Sequence, residues 1–201
     1  MSEDPMTALA NTVLASYRTA LALRLPHVAG HGQRVADLAC AIAERTDQLT
    51  ATALAALRRG LLLHDLGKLA IPAAILFKPT TLTAAEWAAM QLHPVYGYHW
   101  LLPLHAMVDL AVVRSHHEHW LGHGYPDGLV GEAIPITVRI TTIADVYDAL
   151  RVAQAYKPAW SHADAYEKIA ARAGIDFDPG LVELALAVIT EREADVYPQT
   201  Q

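Results

Sequence analysis

The sequence predicts an all-α protein. Apolar residues recur at the three- and four-residue spacing of helices in segment after segment, whereas the strict two-residue alternation of half-buried strands is nearly absent. Residues that start and stop helices stand at the ends of these segments, as Asp178-Pro179 does before one of them and Gly174 does after another. Together these patterns favour a bundle of helices over a sheet-containing fold.

Three helices are predicted in the first third of the chain. The first covers Ala8 to Leu23 and is expected to pack on the others. The second starts near His31 and the third reaches His64, because each has one apolar face at helical spacing. Those two faces consist of Val35, Leu38, Ala39 and Ile42, and of Ala53, Leu54, Leu57 and Leu61.

The later helices are marked by their boundaries. Thr83 and Glu86 form a capping-box pattern, so a helix is predicted from about Ala84 to Leu92, and Pro94 marks the start of another. Four more are predicted over His105 to His117, Thr137 to Leu150, His162 to Ala173 and Pro179 to Glu191. Two stretches rich in proline or glycine, Ile71 to Thr81 and Gly122 to Pro135, are expected to be ordered loops.

Length and composition indicate one folded domain. The 201 residues, 53% of them hydrophobic and 18% charged, fit a single domain and exclude intrinsic disorder. Within the domain 1–201 we distinguish an N-terminal helical segment, 1–26, and a core, 27–192. A net charge of −6 argues against binding DNA or RNA through massed phosphate contacts, but it leaves a small anionic ligand open.

Targeting and redox features predict a cytoplasmic protein. The acidic start Met1-Ser-Glu-Asp-Pro5 is unlike a secretory peptide. Apolar runs such as Ala106 to Val113 are interrupted, and they fall short of the ~20 apolar residues that a membrane span needs. Cys40 is the single cysteine, and its apolar neighbours indicate a small core residue.

Histidine is the unusual feature of the composition, with eleven copies. Several of them stand with aspartates where predicted helices begin or end: His27, His31, His64, Asp65, His93, His116, His117 and Asp145. Residues four apart share a helix face, so His27 and His31 can point at one ion. A mixed set of imidazoles and carboxylates suits first-row transition metals such as manganese, iron or zinc.

These residues also have an ordinary structural interpretation. A lone histidine at a helix end is usually a cap or a half-buried surface residue, which is our interpretation of His99, His105 and His162, whereas His119 and His123 stay open. Apolar neighbours make solvation of Asp145 difficult, and Asp148 is interpreted as an acid that supports the ligands or the fold. For the set as a whole the structural interpretation is poor, because His64-Asp65, His116-His117 and Asp145 would all have to occur independently by chance.

The chain resembles a known family at these residues. His64-Asp65-Leu66-Gly67-Lys68 resembles the H-D-x-G-K motif of HD-domain metal-dependent phosphohydrolases, and Gly124-Tyr125-Pro126 resembles the loop of the HD-GYP subfamily. Further segments match in the same order, among them His93-Pro94, His116-His117-Glu118 and Ala144-Asp145 with Asp148. The resemblance runs from about His31 to Pro179 and implies an HD-domain helical bundle.

What the resemblance implies is a phosphodiesterase that opens cyclic di-GMP, a bacterial signalling nucleotide, to linear pGpG and in an extended reaction to GMP. It implies that His31, His64, Asp65 and Asp145 surround one metal, and that Asp65 bridges to a second metal bound by His93, His116 and His117. Two such ions about 3.5–4 Å apart can hold a hydroxide nucleophile and neutralise charge on phosphoryl oxygens. Iron or manganese is expected, with zinc as the alternative, and His27 is a further ligand if a third ion binds.

Other residues are assigned to the substrate. Lys68 lies one turn beyond Asp65 and is suited to contact a phosphate oxygen, so both are catalytic candidates. Tyr125 either stacks on a base or packs in the core, and its loop either lines the substrate site or docks a protein partner. A homodimer is also considered. The loop glycines are expected to supply positive backbone angles; they are Gly124, Gly128 and Gly131.

The chain departs from the family pattern at several positions. Gln154 stands where the family usually has the arginine of an R-P-Y motif, and Lys157 and Arg151 are the candidates to compensate in substrate binding. His119 replaces an arginine, and Leu121 replaces an acid or asparagine. Two alternatives therefore stay open: an HD phosphohydrolase for another nucleotide or cyclic dinucleotide, and a binding or docking module without turnover. Retention of the full ligand series favours an enzyme.

Overall fold

The computed structural model describes residues 5–153 and 158–196 of the chain. These residues form ten α-helices and three short 3-10 helices, which are joined by turns and loops. The α-helices are α1 (Pro5–Arg24), α2 (Pro26–Thr46), α3 (Ala51–Leu61), α4 (Ala73–Leu76), α5 (Ala84–Met90), α6 (His93–Leu101), α7 (Leu110–Ser115), α8 (Ile136–Arg151), α9 (His162–Ala170) and α10 (Pro179–Val196). The 3-10 helices are Leu66–Ala70, Leu102–Leu104 and Gly131–Ala133. Within these residues the only β-type contact is an isolated bridge between Ala173 and Phe177, so the all-α prediction is confirmed.

Helix α2 lies at the centre of the main core. It packs against α1, α3, α8 and α10, and its side chains Val35 and Ile42 are fully buried together with Tyr147 of α8. Burying one such aliphatic side chain contributes about 1.5–3 kcal/mol. This packing holds α2 and α8 in a fixed relation, and with them His31 and Asp145, which these two helices carry.

Local capping explains several helix starts. Thr83 and Glu86 form the predicted capping box at α5, in which each side chain accepts a hydrogen bond from the backbone amide of the other. The side chains of Thr50 and Ser161 cap α3 and α9 by accepting from amides three residues on. These starts are therefore specified by the sequence around them.

Two predicted helices have different bounds in the structure. The helix predicted over His105 to His117 is shorter, Leu110–Ser115, because the Asp109 side chain accepts from two following amides and caps it late. The second helix begins at Pro26 rather than near His31, since proline is well suited to the first turn. His31 consequently lies inside α2, with a full helical turn before it.

Smaller differences concern the other ends. Helix α3 stops at Leu61, so His64 lies in the turn that follows it, and α10 continues to Val196 rather than stopping at Glu191. The short helix α4 forms inside the stretch Ile71 to Thr81, which was expected to be a loop. In the described part of the chain, none of the helices has the length and apolar character that crossing a bilayer demands. A cytoplasmic location and the single-domain organisation stay predictions.

Candidate metal centre

Two groups of metal-ligating side chains meet at Asp65. One consists of His31, His64 and Asp65, and the other of Asp65, His93, His116 and His117; within each group one donor atom per residue lies within 4.8 Å of the others. Asp145 adjoins the first group, with Oδ1 2.8 Å from His31 Nε2 and 3.9 Å from His64 Nε2. The structure thus brings together the seven residues that the family pattern singles out.

Helix ends and turns deliver these side chains to one place. The packed helices α2 and α8 carry His31 and Asp145, and the turn after α3 carries the adjacent His64 and Asp65. The remaining three stand at helix ends: His93 begins α6, and His116 and His117 follow α7. Side chains at such ends diverge from the helix faces, which lets several elements point at one centre.

Gly67 allows α6 to approach the turn that contains Asp65. A Cβ atom on Gly67 would lie 1.9 Å from the carbonyl oxygen of His93 and 2.6 Å from the amide nitrogen of Gly97. Glycine is therefore required where the 3-10 helix Leu66–Ala70 packs on α6. The close approach leaves His93 Nε2 3.1 Å from Asp65 Oδ1.

Hydrogen bonds at Nδ1 orient the histidine rings. A backbone carbonyl oxygen accepts from this nitrogen at 2.6 Å in His64, at 2.8 Å in His93 and at 3.1 Å in His116. In His31 the partner is a carboxylate, because Nδ1 lies 2.6 Å from Asp148 Oδ2. Since a carbonyl oxygen can only accept, the proton of the three carbonyl-bound rings is on Nδ1 and their lone pair is on Nε2.

The converging Nε2 atoms form an arrangement that suits a cation. Nε2 of His93 and Nε2 of His116 are 3.2 Å apart, and neither can donate to the other when both protons are on Nδ1. Nε2 of His64 and Oδ1 of Asp65 are buried without a hydrogen bond inside the described residues. Such atoms are costly to bury, and a transition-metal ion satisfies imidazole and carboxylate lone pairs together. The donor set therefore fits a divalent metal ion.

Burial controls the charge of the rings. It lowers the pKa of His64 to about 4 and holds the pKa of His117 well below its usual value, which keeps both rings neutral, as metal binding requires. Burial also opposes a charge on His31, but hydrogen bonds to Asp145 and Asp148 outweigh it and raise the pKa of His31 to about 10. Without a metal, the His31 ring is therefore a cation that donates from Nε2 to Asp145 and from Nδ1 to Asp148.

The two carboxylates are ionised despite their burial. Burial opposes the charge of Asp65, but the neighbouring ammonium group of Lys68 holds its pKa well below the usual range. His31 does the same for the buried Asp145. Lys68 Nζ donates to Asp65 Oδ2 at 2.6 Å while its side chain stays 24% exposed, so this cation lies at the rim of the centre.

Glu118 anchors the glycine-rich loop beside the centre. Its buried carboxylate accepts hydrogen bonds from the backbone amides of Asp127, Gly128 and Leu129 at 2.7 to 3.0 Å. The half-buried Tyr125 stacks on a ring of the centre, with 4.7 Å between its centroid and that of His117. Sequence reasoning assigned no role to Glu118, because the amides that it binds lie nine to eleven residues further along the chain.

The role expected of one loop glycine was wrong. Gly128 and Gly131 have positive φ angles of 66° and 57°, as expected, but Gly124 is not among the positive-φ residues. Gly124 is required for space instead, since a Cβ atom there would lie 2.4 Å from the carbonyl oxygen of His117. A third positive φ, 79°, belongs to Gly122.

Other residues expected at the site lie outside the cluster. His27 is exposed in the first turn of α2 and belongs to neither group of ligand-type side chains. The guanidinium of Arg151 pairs with Glu193 and donates to a backbone carbonyl, and its side chain is only 9% exposed. Lys157 and Gln154 lie outside the described residues.

Comparison with known proteins identifies the family. The family model described as HD domain matches residues 16–181 of the chain. The chain therefore belongs to the HD-domain family, and its His64-Asp65 pair and Gly124-Tyr125-Pro126 loop resemble the motifs of the HD-GYP branch.

Curated relatives are similar to part of the chain. A 3'3'-cGAMP-specific phosphodiesterase 2 of Vibrio cholerae is 47% identical over 127 residues, which are 62% of this chain and 24% of the relative. The cyclic di-GMP phosphodiesterase response regulator RpfG of Xanthomonas campestris is 46% identical over 127 residues, which are 62% of this chain and 34% of the relative. The chain thus spans about a quarter to a third of the length of these relatives.

A solved structure has the same fold. The crystal structure of a cyclic GMP-AMP specific phosphodiesterase of V. cholerae superposes with a TM-score of 0.62 and 22% sequence identity. The superposition covers 84% of this chain and 46% of that chain. At this identity the likeness establishes the arrangement of helices.

Proposed function

We propose that this chain is a metal-dependent phosphodiesterase that hydrolyses cyclic di-GMP to linear pGpG and, in an extended reaction, to GMP. The observation that supports it most is the convergence of unprotonated Nε2 atoms on the shared carboxylate of Asp65. The two curated relatives are named as phosphodiesterases of cyclic dinucleotides.

The proposed centre holds two divalent ions. One would be held by His31, His64, Asp65 and Asp145, and the other by Asp65, His93, His116 and His117. Asp65 suits a bridging role because Oδ1 is 3.1 Å from His93 Nε2 while Oδ2 is 3.6 Å from His64 Nε2. When bound, such ions supply a nucleophile from water at neutral pH and neutralise charge on phosphoryl oxygens. Iron or manganese is our first choice for this mixed donor set, and zinc is the second.

The chain's own residues prepare the site for a phosphodiester. Lys68 presents a positive charge at the rim, where it can contact a non-bridging phosphoryl oxygen when it leaves Asp65. Asp148 holds the ring of His31, and Tyr125 holds the ring of His117 from the loop side. Divalent ions outweigh the two carboxylates, so the site attracts a dianionic cyclic dinucleotide although the whole chain carries −6.

Hydrolysis of 3'3'-cGAMP or another cyclic dinucleotide is the second candidate. It is favoured by the relative that is 47% identical, which is named as specific for 3'3'-cGAMP. The metal centre faces the phosphodiester that these nucleotides share, so it does not select between their bases. The protein partner at the loop and the homodimer stay predictions.

A substrate panel tests the proposal. The chain is purified without air, loaded with manganese or iron, and incubated with cyclic di-GMP, 3'3'-cGAMP and cyclic di-AMP before chromatographic product analysis. Faster release of pGpG from cyclic di-GMP than of linear product from the others supports the first function. Faster hydrolysis of 3'3'-cGAMP would instead support the second candidate, a phosphodiesterase for that nucleotide. A metal-loaded chain that leaves all three intact contradicts an enzymatic role and favours the docking module.

A further inference from the structure

A third group of metal-ligating side chains lies outside the Asp65 centre. His119 Nδ1 is 2.8 Å from His123 Nε2 and 3.2 Å from Asp176 Oδ1, and the last two atoms are 2.9 Å apart. We propose that these three residues bind one divalent first-row transition metal, of which zinc is the representative, at a site separate from the Asp65 centre.

The spacing of the three donor atoms suits a metal ion. Two ligands about 2.0–2.1 Å from zinc at the tetrahedral angle lie about 3.3–3.4 Å from each other. The separations of 2.8 to 3.2 Å therefore need to open by only a few tenths of an ångström. His119 and His123 are 30% and 45% exposed, so an ion can enter and a water molecule can complete the fourth position.

Backbone hydrogen bonds hold the ligands in place. The amides of Trp120 and Leu121 donate to the carbonyl oxygens of Asp176 at 2.9 Å and Ile175 at 3.0 Å, which joins the two segments that carry the ligands. Between the histidines, Gly122 has a φ of 79° and donates to the carbonyl oxygen of His119 at 2.8 Å. This turn brings both rings to the same side, so binding requires little ordering of the chain.

Arg172 limits the affinity of the site. Its guanidinium binds both oxygens of Asp176, with Nη2 2.6 Å from the same Oδ1 that faces the histidines. The pair keeps the carboxylate in position, but the positive charge of Arg172 repels a cation nearby. We therefore expect the ion to bind more weakly here than in a closed structural zinc site.

A bound ion would hold the glycine-rich loop at a second point, in addition to Glu118. His123 directly precedes Gly124 and Tyr125, whereas Asp176 lies just before α10. A metal bridge between them would fix the start of the loop that Glu118 anchors further along. The consequence is a loop whose mobility depends on metal supply, independently of the ions at Asp65.

Ion counting on the intact chain tests this site. The wild-type chain and the double variant His119→Ala/His123→Ala are saturated at buffered free zinc and weighed by native mass spectrometry. We expect the double variant to bind one zinc ion fewer. The matched control replaces two exposed histidines outside all three groups, His99→Ala/His105→Ala, and should bind as many ions as the wild type. Equal ion counts in the wild type and the His119→Ala/His123→Ala variant would overturn the proposal.

A second measurement separates the site from the Asp65 centre. Hydrogen exchange of residues 119–123 is followed in the wild-type chain, preloaded at the Asp65 centre with manganese, as zinc is added. Exchange should slow with zinc, and the slowing should be absent in Asp176→Asn. If zinc changes the exchange equally in the wild type and in Asp176→Asn, or changes it in neither, the proposed site is contradicted.

Discussion

Asp148 fixes the orientation of the His31 ring. Its Oδ2 lies 2.6 Å from Nδ1 of His31, and Nε2 of the same ring then faces Asp145 Oδ1 at 2.8 Å. Arg34 holds Asp148 in turn by donating to both of its oxygens, at 2.6 and 3.0 Å. A carboxylate on the far nitrogen of a ligating imidazole directs the ring and strengthens it as a ligand. Arg34 and Asp148 are thus positioning residues for the proposed centre.

We expect Asp148→Asn to weaken metal binding. Losing the carboxylate on the far nitrogen of a ligating histidine costs about 10–100-fold in metal affinity. Competition with a chelator of known affinity measures the change, and excess metal should restore part of the lost activity. Asp37→Asn is the control, because this acid lies on α2, the helix that carries His31, but pairs with Arg58 at the surface. Equal metal affinity in Asp148→Asn and the wild type would remove the positioning role.

Replacing Lys68 should slow the reaction and leave the metal in place. Removing one group that stabilises developing charge lowers kcat by about 10²–10³. We therefore expect Lys68→Met to retain its metal by elemental analysis while kcat for the preferred dinucleotide falls by that factor. Lys78→Met is the matched control, since Lys78 is equally exposed but pairs with Glu86. Unchanged kcat in Lys68→Met would show that this lysine does not act on the substrate.

A single methyl group at Gly67 should destabilise the fold at the centre. The added Cβ meets the backbone of His93 at 1.9 Å, and overpacking of this kind costs about 1–3 kcal/mol or more. Urea denaturation of metal-free Gly67→Ala should show the loss in the free energy of unfolding. Gly30→Ala is the control, because the nearest atom there is a side-chain nitrogen of Arg34 at 3.5 Å. A Gly67→Ala chain as stable as Gly30→Ala would contradict the close packing.

The anchor of the glycine-rich loop can be loosened selectively. Glu118→Gln keeps the shape of the side chain but replaces one accepting oxygen with a donor that faces backbone amides. Hydrogen bonds to charged groups contribute about 1.5–3 kcal/mol, so amide exchange at 127–129 should accelerate by at least tenfold. Glu132→Gln, an exposed acid of the same loop region, should leave that exchange unchanged. Similar exchange in both variants would show that Glu118 does not hold the loop.

The ligand positions could be predicted because their chemistry is local in the sequence. His64-Asp65 and His116-His117 stand at helix ends, where short turns aim the side chains at one centre. Helix starts with a nearby cap, such as that of α5, were predicted for the same reason. The helix before His116 was placed too early because the Asp109 cap competes with apolar periodicity that extends further.

Features that depend on distant segments could not be predicted. Gly124 is required by the backbone of His117 packed against it, and no local pattern distinguishes this from a turn glycine. The buried Glu118 binds amides nine to eleven residues later. Arg151 pairs with Glu193 on α10. The sequence does not show this ion pair, because it forms only when the two helices pack together. In each case the packing of separate segments decides the role.

The shared position of Asp65 is the central claim, and counting ions in Asp65→Ala tests it most directly. The His119→Ala/His123→Ala chain serves as the parent, so that the third group does not contribute, and both chains are loaded with manganese without air. We predict that the parent holds two ions and hydrolyses its cyclic dinucleotide. Adding Asp65→Ala should abolish metal retention and hydrolysis, while the helical circular dichroism is preserved. A folded Asp65→Ala chain that keeps both ions or the activity would contradict the account.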